Sequence, residues 1–165
     1  VFFSGISGSA AADIAALIAG IVDDLAPEAR AKDLRVTTSA TPETKGLTVD
    51  AAKVHDIVRN LVENAVTYTQ AGGEVAVAAT VDAETLVVTV TDNGPGIPPE
   101  DLGRVFERFY RVDKSRGRSG GTGLGLAIVK HVADLHGGAA RVTNCPAGGA
   151  AFEVRLPRAP GPSAR

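Results

Sequence analysis

The sequence predicts a single domain of the α+β class, in which helices and short strands share one core. Three segments repeat apolar residues at the three- and four-residue intervals of an amphipathic helix. Four shorter apolar runs are joined in pairs by turn-forming residues, which is the pattern of β-hairpins. The 165-residue chain is long enough for one core, and 44% hydrophobic with only 4% aromatic residues predicts a core of Val, Leu, Ile and Ala.

Composition argues against several classes of function. The formal net charge of -2 favours neither nucleic acid nor an anionic membrane as a partner. The single cysteine, Cys145, excludes an internal disulfide and a cysteine-rich zinc site, and it fits a reducing compartment. No apolar run reaches the length of a membrane span and no signal peptide precedes the fold, so we expect a soluble domain.

The domain is expected to span residues 13–157. Residues 1–12 contain a Gly/Ser cluster without periodicity and are predicted to be a linker or a remnant outside the fold. Residues 158–165 are rich in Pro and Ala and are predicted to be a disordered tail.

The first predicted helix begins at Asp13, whose side chain suits an N-cap, and reaches about Lys32. Pro27 lies inside its apolar pattern, so we expect a kink or a restart there. The next two segments, Leu34–Ala40 and Leu47–Val49, are predicted strands with a turn between them.

The second predicted helix runs from Ala51, after a capping Asp50, to about Thr69. Asn60 and Asn64 lie one turn apart on its polar side. A solvated face normally carries Lys, Glu or Arg, which are better helix formers than Asn. The two asparagines therefore predict a face that binds a ligand, with ordinary surface positions as the alternative.

A second candidate site follows a predicted hairpin of strands Glu74–Thr80 and Thr85–Thr91. The second strand runs directly into Asp92 and the glycine-rich residues 93–97. This places a carboxylate beside glycines, whose backbone can take positive φ and approach a flat ligand closely. By itself the run also fits an ordinary turn, but the glycines further along the chain favour a binding loop.

A basic segment comes next, after a short helix predicted from Pro98 to about Val105. Between residues 104 and 118 there are six basic and two acidic residues, a local balance of +4. The last part, residues 114–121, has almost nothing to bury. This profile predicts a mobile cover whose cations meet an anion, and a solvated basic loop is the alternative.

The third predicted helix, Thr122–His136, starts in a glycine run. Exposed amides and the positive end of the helix dipole suit a phosphate at this position. Ala139–Thr143 and Ala150–Leu156 are then predicted to form a closing hairpin. The residues expected on the buried side of the helix are Leu124, Ala127, Ile128, Val132 and Leu135.

Together these motifs resemble the catalytic ATP-binding domain of bacterial two-component sensor histidine kinases, in the superfamily of gyrase, Hsp90 and MutL. The N box is similar to residues 55–69, the G1 box to 92–96, the F box to 106–109 and the G2 box to 121–126. All four occur in the family's order and spacing. The resemblance implies the Bergerat fold, a two-layer α/β sandwich with a mixed, mostly antiparallel sheet of about five strands and about three helices on one face.

The resemblance also implies ATP and Mg²⁺ as cofactors. Asp92 would accept a hydrogen bond from the exocyclic amine of adenine and reject guanine, whose O6 is an acceptor. Asn60 would hold Mg²⁺ through its amide oxygen and, with Arg108, serve catalysis; Glu63 is a candidate acid or base. The other implied nucleotide-binding residues are Asn64, Thr67, Tyr68, Gly94, Gly96, Ile97, Arg108, Arg111, Gly121, Thr122, Gly123, Leu124 and Gly125.

Two departures from the family pattern matter. Many members have Lys at the position of Thr67, so that cation is expected to come from Arg108, Arg111 or Lys114, or triphosphate affinity is weak. A Ser-His-Glu type motif with a phosphoacceptor histidine does not precede Asp13. The chain is therefore expected to bind ATP but not to autophosphorylate alone.

The implied function is transfer of the γ-phosphoryl of Mg-ATP to a histidine on a separate dimerisation and phosphoacceptor domain of the same kinase. A response regulator would be an indirect partner, and nucleic acid would not be one. The isolated domain is expected to be monomeric and cytoplasmic, within a homodimer anchored in the inner membrane. The alternatives are an ATP hydrolase, which in those relatives uses Glu at the Asn60 position, an anti-sigma type serine kinase, and a degenerate domain that only binds a partner.

Overall fold

The computed structural model describes residues 9–112 and 124–158. In this part of the chain, a five-stranded sheet and a two-stranded sheet are combined with four α-helices and a short 3-10 turn. The elements are β1 (Ser9–Asp13), α1 (Ile14–Asp24), α2 (Ala26–Ala31), β2 (Arg35–Ala40), the 3-10 turn (Pro42–Thr44), β3 (Lys45–Asp50), α3 (Ala51–Tyr68), β4 (Glu74–Asp82), β5 (Thr85–Asp92), α4 (Gly125–Leu135), β6 (Ala139–Asn144) and β7 (Ala150–Pro157).

The larger sheet has the strand order β2-β4-β5-β7-β6. β2 pairs with β4 in parallel, and the other three pairs are antiparallel. This confirms the predicted mixed, mostly antiparallel sheet of five strands. β4 and β5 are joined by Ala83 and Glu84, whose φ angles of 45° and 68° form the kind of two-residue turn that matches the right-handed twist of a hairpin.

Helices cover one face of this sheet. Along β4, Val75, Val77 and Ala79 are buried, whereas the residues between them are more exposed, as expected for a strand with one face in the core. α3 forms the centre of the helical layer, and four of its apolar side chains are completely buried. These are Ile57, Val58, Leu61 and Val62.

Local signals place the starts of α1 and α3 correctly. The side chain of Asp13 caps α1, accepting a hydrogen bond from the amide of Ala16 at 3.1 Å. Asp50 caps α3 through the amide of Lys53 at 3.3 Å. Pro27 lies in the first turn of α2, which is where the predicted long helix restarts and why the structure has four α-helices instead of about three.

β1 was not predicted, because residues 1–12 show no alternation. Ser9–Asp13 nevertheless pairs antiparallel with β3, and Ser9 lies opposite Asp50. Backbone hydrogen bonds are sufficient for such a pairing, so a run of small residues can form it without an apolar pattern. The strand leads straight into α1 and thus belongs to the described fold. The remainder of the predicted linker, residues 1–8, and residues 159–165 lie outside the described residues.

The predicted buried side of α4 was partly wrong. Ile128 and Leu135 are 43% and 69% exposed, and the buried residues are Val129, Val132 and Ala133. These three have helical spacing. However, α4 carries apolar residues on most of its faces, so the sequence pattern alone did not determine which face is buried. α4 also begins at Gly125, three residues later than predicted.

The helix predicted from Pro98 to about Val105 is absent, and the described segment is a series of turns. Each turn is closed by an amide that donates to the carbonyl three residues earlier, starting with Asp101 to Pro98 at 2.8 Å. Two prolines and a glycine in this stretch disfavour continuous helix, which explains the difference. None of the helices in residues 9–112 and 124–158 combines the length and the apolar character that crossing a membrane requires.

Two glycines predict opposite effects on stability. Gly20 is inside α1 with no atom within 4 Å of the position of an added Cβ, so Gly20→Ala is expected to stabilise the protein by about 0.5–1 kcal/mol. A Cβ on Gly138 would lie 2.0 Å from the carbonyl oxygen of Arg155, so Gly138→Ala is expected to destabilise it by about 2–3 kcal/mol. Urea unfolding of both variants measures this difference, and equal effects would contradict it.

Candidate functional site

The carboxylate of Asp92 is held by backbone from two parts of the sheet. Its Oδ1 accepts hydrogen bonds from the amide of Gly94 at 2.9 Å and from the amide of Ala150 at 3.4 Å. Both bonds use the same oxygen, and within residues 9–112 and 124–158 nothing donates to Oδ2. The second oxygen is therefore available as an acceptor in a fixed position.

The loop after β5 lies directly against the end of α3. A Cβ on Gly94 would be 3.6 Å from both the carbonyl oxygen of Tyr68 and the Cα of Thr69, and 3.1 Å from Oδ1 of Asp92. Gly96 has a φ of 75°, a conformation that glycine adopts without strain. The structure therefore brings Asp92, Gly94 and Gly96 together with Tyr68, whose side chain is 49% exposed.

Asn60 lies where α3 meets the start of α4. Its amide nitrogen donates to the carbonyl of Asp56 at 2.7 Å, which turns its oxygen away from its own helix backbone. That oxygen is 3.1 Å from the position of an added Cβ on Gly125, the first residue of α4. α4 has no side-chain N-cap at Leu124, so its first amides are not satisfied by such a cap.

These residues fit a magnesium ion better than a metal held by the protein alone. In the described ranges, no group of three or more His, Cys, Asp or Glu side chains is arranged to hold a metal. Mg²⁺ commonly takes one or two oxygens from the protein and the rest from phosphates and water. The amide oxygen of Asn60, beside the amides of α4, meets that requirement.

Glu63 and Thr67 lie on the polar side of α3, on the part that faces the junction of α1 and α2. With Leu25, Glu28, Arg59 and Val66 they line a groove of about 260 Å³ between α3 and the junction of α1 and α2. An oxygen of Glu63 is 3.0 Å from Nε of Arg59. Glu63 would have to leave this ion pair before acting as a base, so its acid or base role stays a prediction.

Lys32 has a role that no sequence motif indicates. Its ammonium donates to the carbonyls of Val66 and Thr67 at 2.7 and 2.9 Å. Both carbonyls are in the last turn of α3, where the helix itself supplies no amide partner. Burial lowers the pKa of Lys32 from its ordinary value, but the two carbonyls favour the charged form. No sequence signal links residues so far apart. Lys32 nevertheless brings a cation to the C-terminal end of α3, close to Thr67, the position at which the family pattern predicts a lysine.

Replacing Lys32 by methionine is expected to destabilise the protein by about 1 kcal/mol, because two charged hydrogen bonds at a helix C-terminus are lost while the apolar stem remains. The matched control is Lys53→Met in the first turn of α3, where we expect a change within about 0.5 kcal/mol. Urea unfolding measures both values. Equal stability of the two variants would show that the cap contributes nothing.

The segment around the F box is anchored to the sheet. Phe106 packs edge-to-face on Phe152 of β7, with ring centroids 6.2 Å apart. Arg104 lies 4.5 Å from the ring centroid of Tyr110, whose hydroxyl donates to Asp101. This hydrogen bond raises the pKa of Tyr110, because an ionised phenolate could not donate it.

The predicted phosphate-binding arginines differ in their surroundings. Arg108 is exposed, whereas Nε of Arg111 is buried and has no hydrogen-bond partner among the described residues. Ile97 continues from the Asp92 loop, and Asn64 is half-buried on α3. The predictions for Lys114, Gly121, Thr122 and Gly123 fall outside the described residues.

Comparisons with known proteins show which family this chain is similar to. A family model described as histidine kinase-, DNA gyrase B-, and HSP90-like ATPase matches residues 49–160. The sensor-like histidine kinase SenX3 of Mycolicibacterium smegmatis is 39% identical over 153 residues, which cover 92% of this chain and 40% of that protein. This chain therefore spans less than half the length of that relative.

Two solved structures share the fold over nearly the whole chain. A mycobacterial sensor histidine kinase, MprB, is 32% identical with a TM-score of 0.75, and the match covers 93% of this chain and 99% of that one. Full-length ShkA, solved in complex with AMPPNP, is 30% identical with a TM-score of 0.80, covering 98% of this chain and 32% of that one.

Proposed function

We propose that this chain, which belongs to the histidine kinase-, DNA gyrase B-, and HSP90-like ATPase family, transfers the γ-phosphoryl group of Mg-ATP to a histidine on a separate domain. Its relatives show that it is an ATP-binding domain of the sensor histidine kinase type. The observation that carries this proposal is the position of two acceptor groups relative to one helix. The loop that holds Asp92 lies against the C-terminal end of α3. Asn60 is on α3 itself, two turns before that end, where α3 contacts the start of α4.

This arrangement suits a nucleotide that lies along α3. Tyr68 follows Asn60 by eight residues, a rise of about 12 Å along the helix, so the base and the phosphates can occupy opposite ends of one site. The free oxygen of Asp92 would accept from the adenine amine. The amides at the start of α4 would donate to the phosphates, where the helix dipole adds to the attraction.

Charge neutralisation and positioning are the main requirements of phosphoryl transfer. Asn60 would hold Mg²⁺, which neutralises charge on the phosphates. Arg108 and Arg111 are proposed to bind the γ-phosphate, and the enclosed Nε of Arg111 would gain an acceptor there. A neutral imidazole of the partner then attacks the γ-phosphorus, the bond to the β,γ-bridging oxygen breaks, and ADP leaves.

The identity of residue 60 favours transfer to histidine over hydrolysis. An asparagine amide cannot remove a proton from water, whereas a carboxylate can. The partner is proposed to be the dimerisation and phosphoacceptor domain of the same kinase, with a response regulator accepting the group afterwards. We also propose that the domain lies in the cytoplasm, as part of a longer homodimer anchored in the membrane.

A transphosphorylation experiment tests this function. The 165-residue chain is mixed with the dimerisation and phosphoacceptor domain of its own intact protein and with [γ-³²P]ATP and Mg²⁺. We expect label on the partner that is stable to alkali and labile to acid, as for phosphohistidine, and none on the chain alone. Acid-stable phosphoserine on the partner, or release of phosphate without protein labelling, would refute the proposal.

A further inference from the structure

The turn between β6 and β7 contacts the Asp92 loop through a residue that no nucleotide motif includes. Asn144, the last residue of β6, accepts a hydrogen bond from the amide of Ile97 at 2.8 Å and donates to the carbonyl of Ile97 at 2.7 Å. One side-chain amide thus holds both backbone polar groups of one loop residue. A Cβ on Gly96 would approach Oδ1 of Asn144 to 3.0 Å, so the contact is close.

The same turn holds the other end of the loop. Gly149 has a φ of 91°, and a Cβ there would lie 1.9 Å from the carbonyl oxygen of Asp92. The next amide, that of Ala150, donates to the carboxylate of Asp92. The turn itself is closed by the amide of Cys145, which donates to the carbonyl of Gly149 at 2.9 Å. Residues 144–150 therefore contact the loop at both of its ends, Asp92 and Ile97.

We propose that Asn144 is a positioning residue for the base of the nucleotide, an inference that rests on the proposed function. It fixes the loop of residues 92–97 in the conformation that presents the Asp92 carboxylate and the backbone of Gly96 to the base. It also fixes the point at which residues 98–112 leave the site. Asn144 itself is exposed and needs no contact with the ligand.

The expected effect is confined to the base end of the nucleotide. Asn144→Ala loses both hydrogen bonds, so we expect affinities for adenosine, ADP and ATP to fall by the same factor, about tenfold. The increase in ATP affinity caused by Mg²⁺ should be unchanged, because Asn60 is not involved. In transphosphorylation, the KM for ATP should rise while kcat stays within about twofold.

Asn144→Asp provides a signature that a general loss of stability does not. An ionised carboxylate can accept from the amide of Ile97 but cannot donate to its carbonyl, whereas a protonated carboxyl group can do both. The protonated form binds the loop better, and the carbonyl of Ile97 facing the carboxylate raises the pKa of the new carboxyl group above its ordinary value. The ADP affinity of this variant, relative to wild type, should therefore recover in part as pH falls from 7.5 to 4.5. Asp92 on the loop and Cys145 in the turn are the neighbouring titratable groups, and both are present in the wild type and in Asn144→Ala.

The test combines ADP titration with amide hydrogen exchange on the 165-residue chain. We expect faster exchange of the Ile97 amide and weaker ADP binding in Asn144→Ala, and neither change in Thr143→Ala, an exposed residue on the same strand. If Asn144→Ala is unfolded, the pH profile of Asn144→Asp, relative to wild type, decides instead.

The outcomes separate the two proposals. A wild-type chain that does not bind ADP contradicts the proposed function. A wild-type chain that binds ADP, with unchanged affinity and Ile97 exchange in Asn144→Ala, overturns the role of Asn144. If the ADP affinity of Asn144→Asp depends on pH in the same way as that of the wild type, the role of Asn144 is also overturned.

Discussion

Replacing Asp92 by alanine is expected to weaken ATP binding by about a hundredfold or more. The substitution removes a charged acceptor for the adenine amine, which is worth about 3 kcal/mol in an enclosed site. It also removes the oxygen that the amides of Gly94 and Ala150 donate to, so the loop loses two anchors. Isothermal titration with ATP and with adenosine measures the loss, which should be similar for both ligands because the contact is with the base.

Asp92→Asn separates charge from shape. The amide keeps an oxygen for the Gly94 and Ala150 amides, but it can present a donor to the base, so we expect weaker ATP binding and a reduced preference for ATP over GTP. Asp82→Asn, at the other end of the same hairpin, is the matched control, because Asp82 is exposed and pairs with the half-buried Arg155 away from the loop, so its replacement should leave binding unchanged. Unaltered adenine affinity in both Asp92 variants would contradict the proposed site.

Replacing Asn60 by alanine should abolish the dependence of ATP binding on Mg²⁺. We expect phosphoryl transfer to fall by about a hundredfold or more, since metal and phosphates lose their protein ligand, while adenosine affinity remains within about twofold. The distinction follows from the structure: Asn60, in the middle of α3, contacts the start of α4, whereas the loop that holds Asp92 lies against the C-terminal end of α3.

Asp56→Ala is the control for this variant. Asp56 lies one turn before Asn60 and is exposed, and only its backbone carbonyl accepts the hydrogen bond that orients Asn60. Its side chain should therefore be dispensable for ATP binding with and without Mg²⁺. If Asn60→Ala retains the full Mg²⁺-dependent gain in ATP affinity, another residue holds the metal.

Local signals explain which parts of the fold could be predicted. The caps of α1 and α3 and the restart at Pro27 each depend on a few adjacent residues, and each was predicted correctly. β1 was not predicted because it is held by backbone pairing with β3, and its run of small residues shows no alternation of apolar and polar side chains. The buried side of α4 was misplaced because apolar residues such as Ile128 and Leu135 also occur on its exposed sides.

The candidate site shows the same division. Asp92, Asn60 and the glycines of the loop stand in short motifs whose chemistry is readable from the residue types. Lys32 and Asn144 have no such motif, because each acts on backbone atoms that are distant in sequence. Their roles depend on which turns meet in three dimensions, and a single sequence does not record that.

The central claim is that the Asp92 loop and the start of α4 are two ends of one nucleotide site. Amide chemical shifts of ¹⁵N-labelled protein test it most directly. Adenosine should shift the amides of Gly94 and Ile97 but not that of Gly125, whereas Mg-AMPPNP should shift all three and also the side-chain amide of Asn60. Shifts from Mg-AMPPNP that are confined to one of these two regions, or that lie elsewhere on the protein, would contradict a shared site.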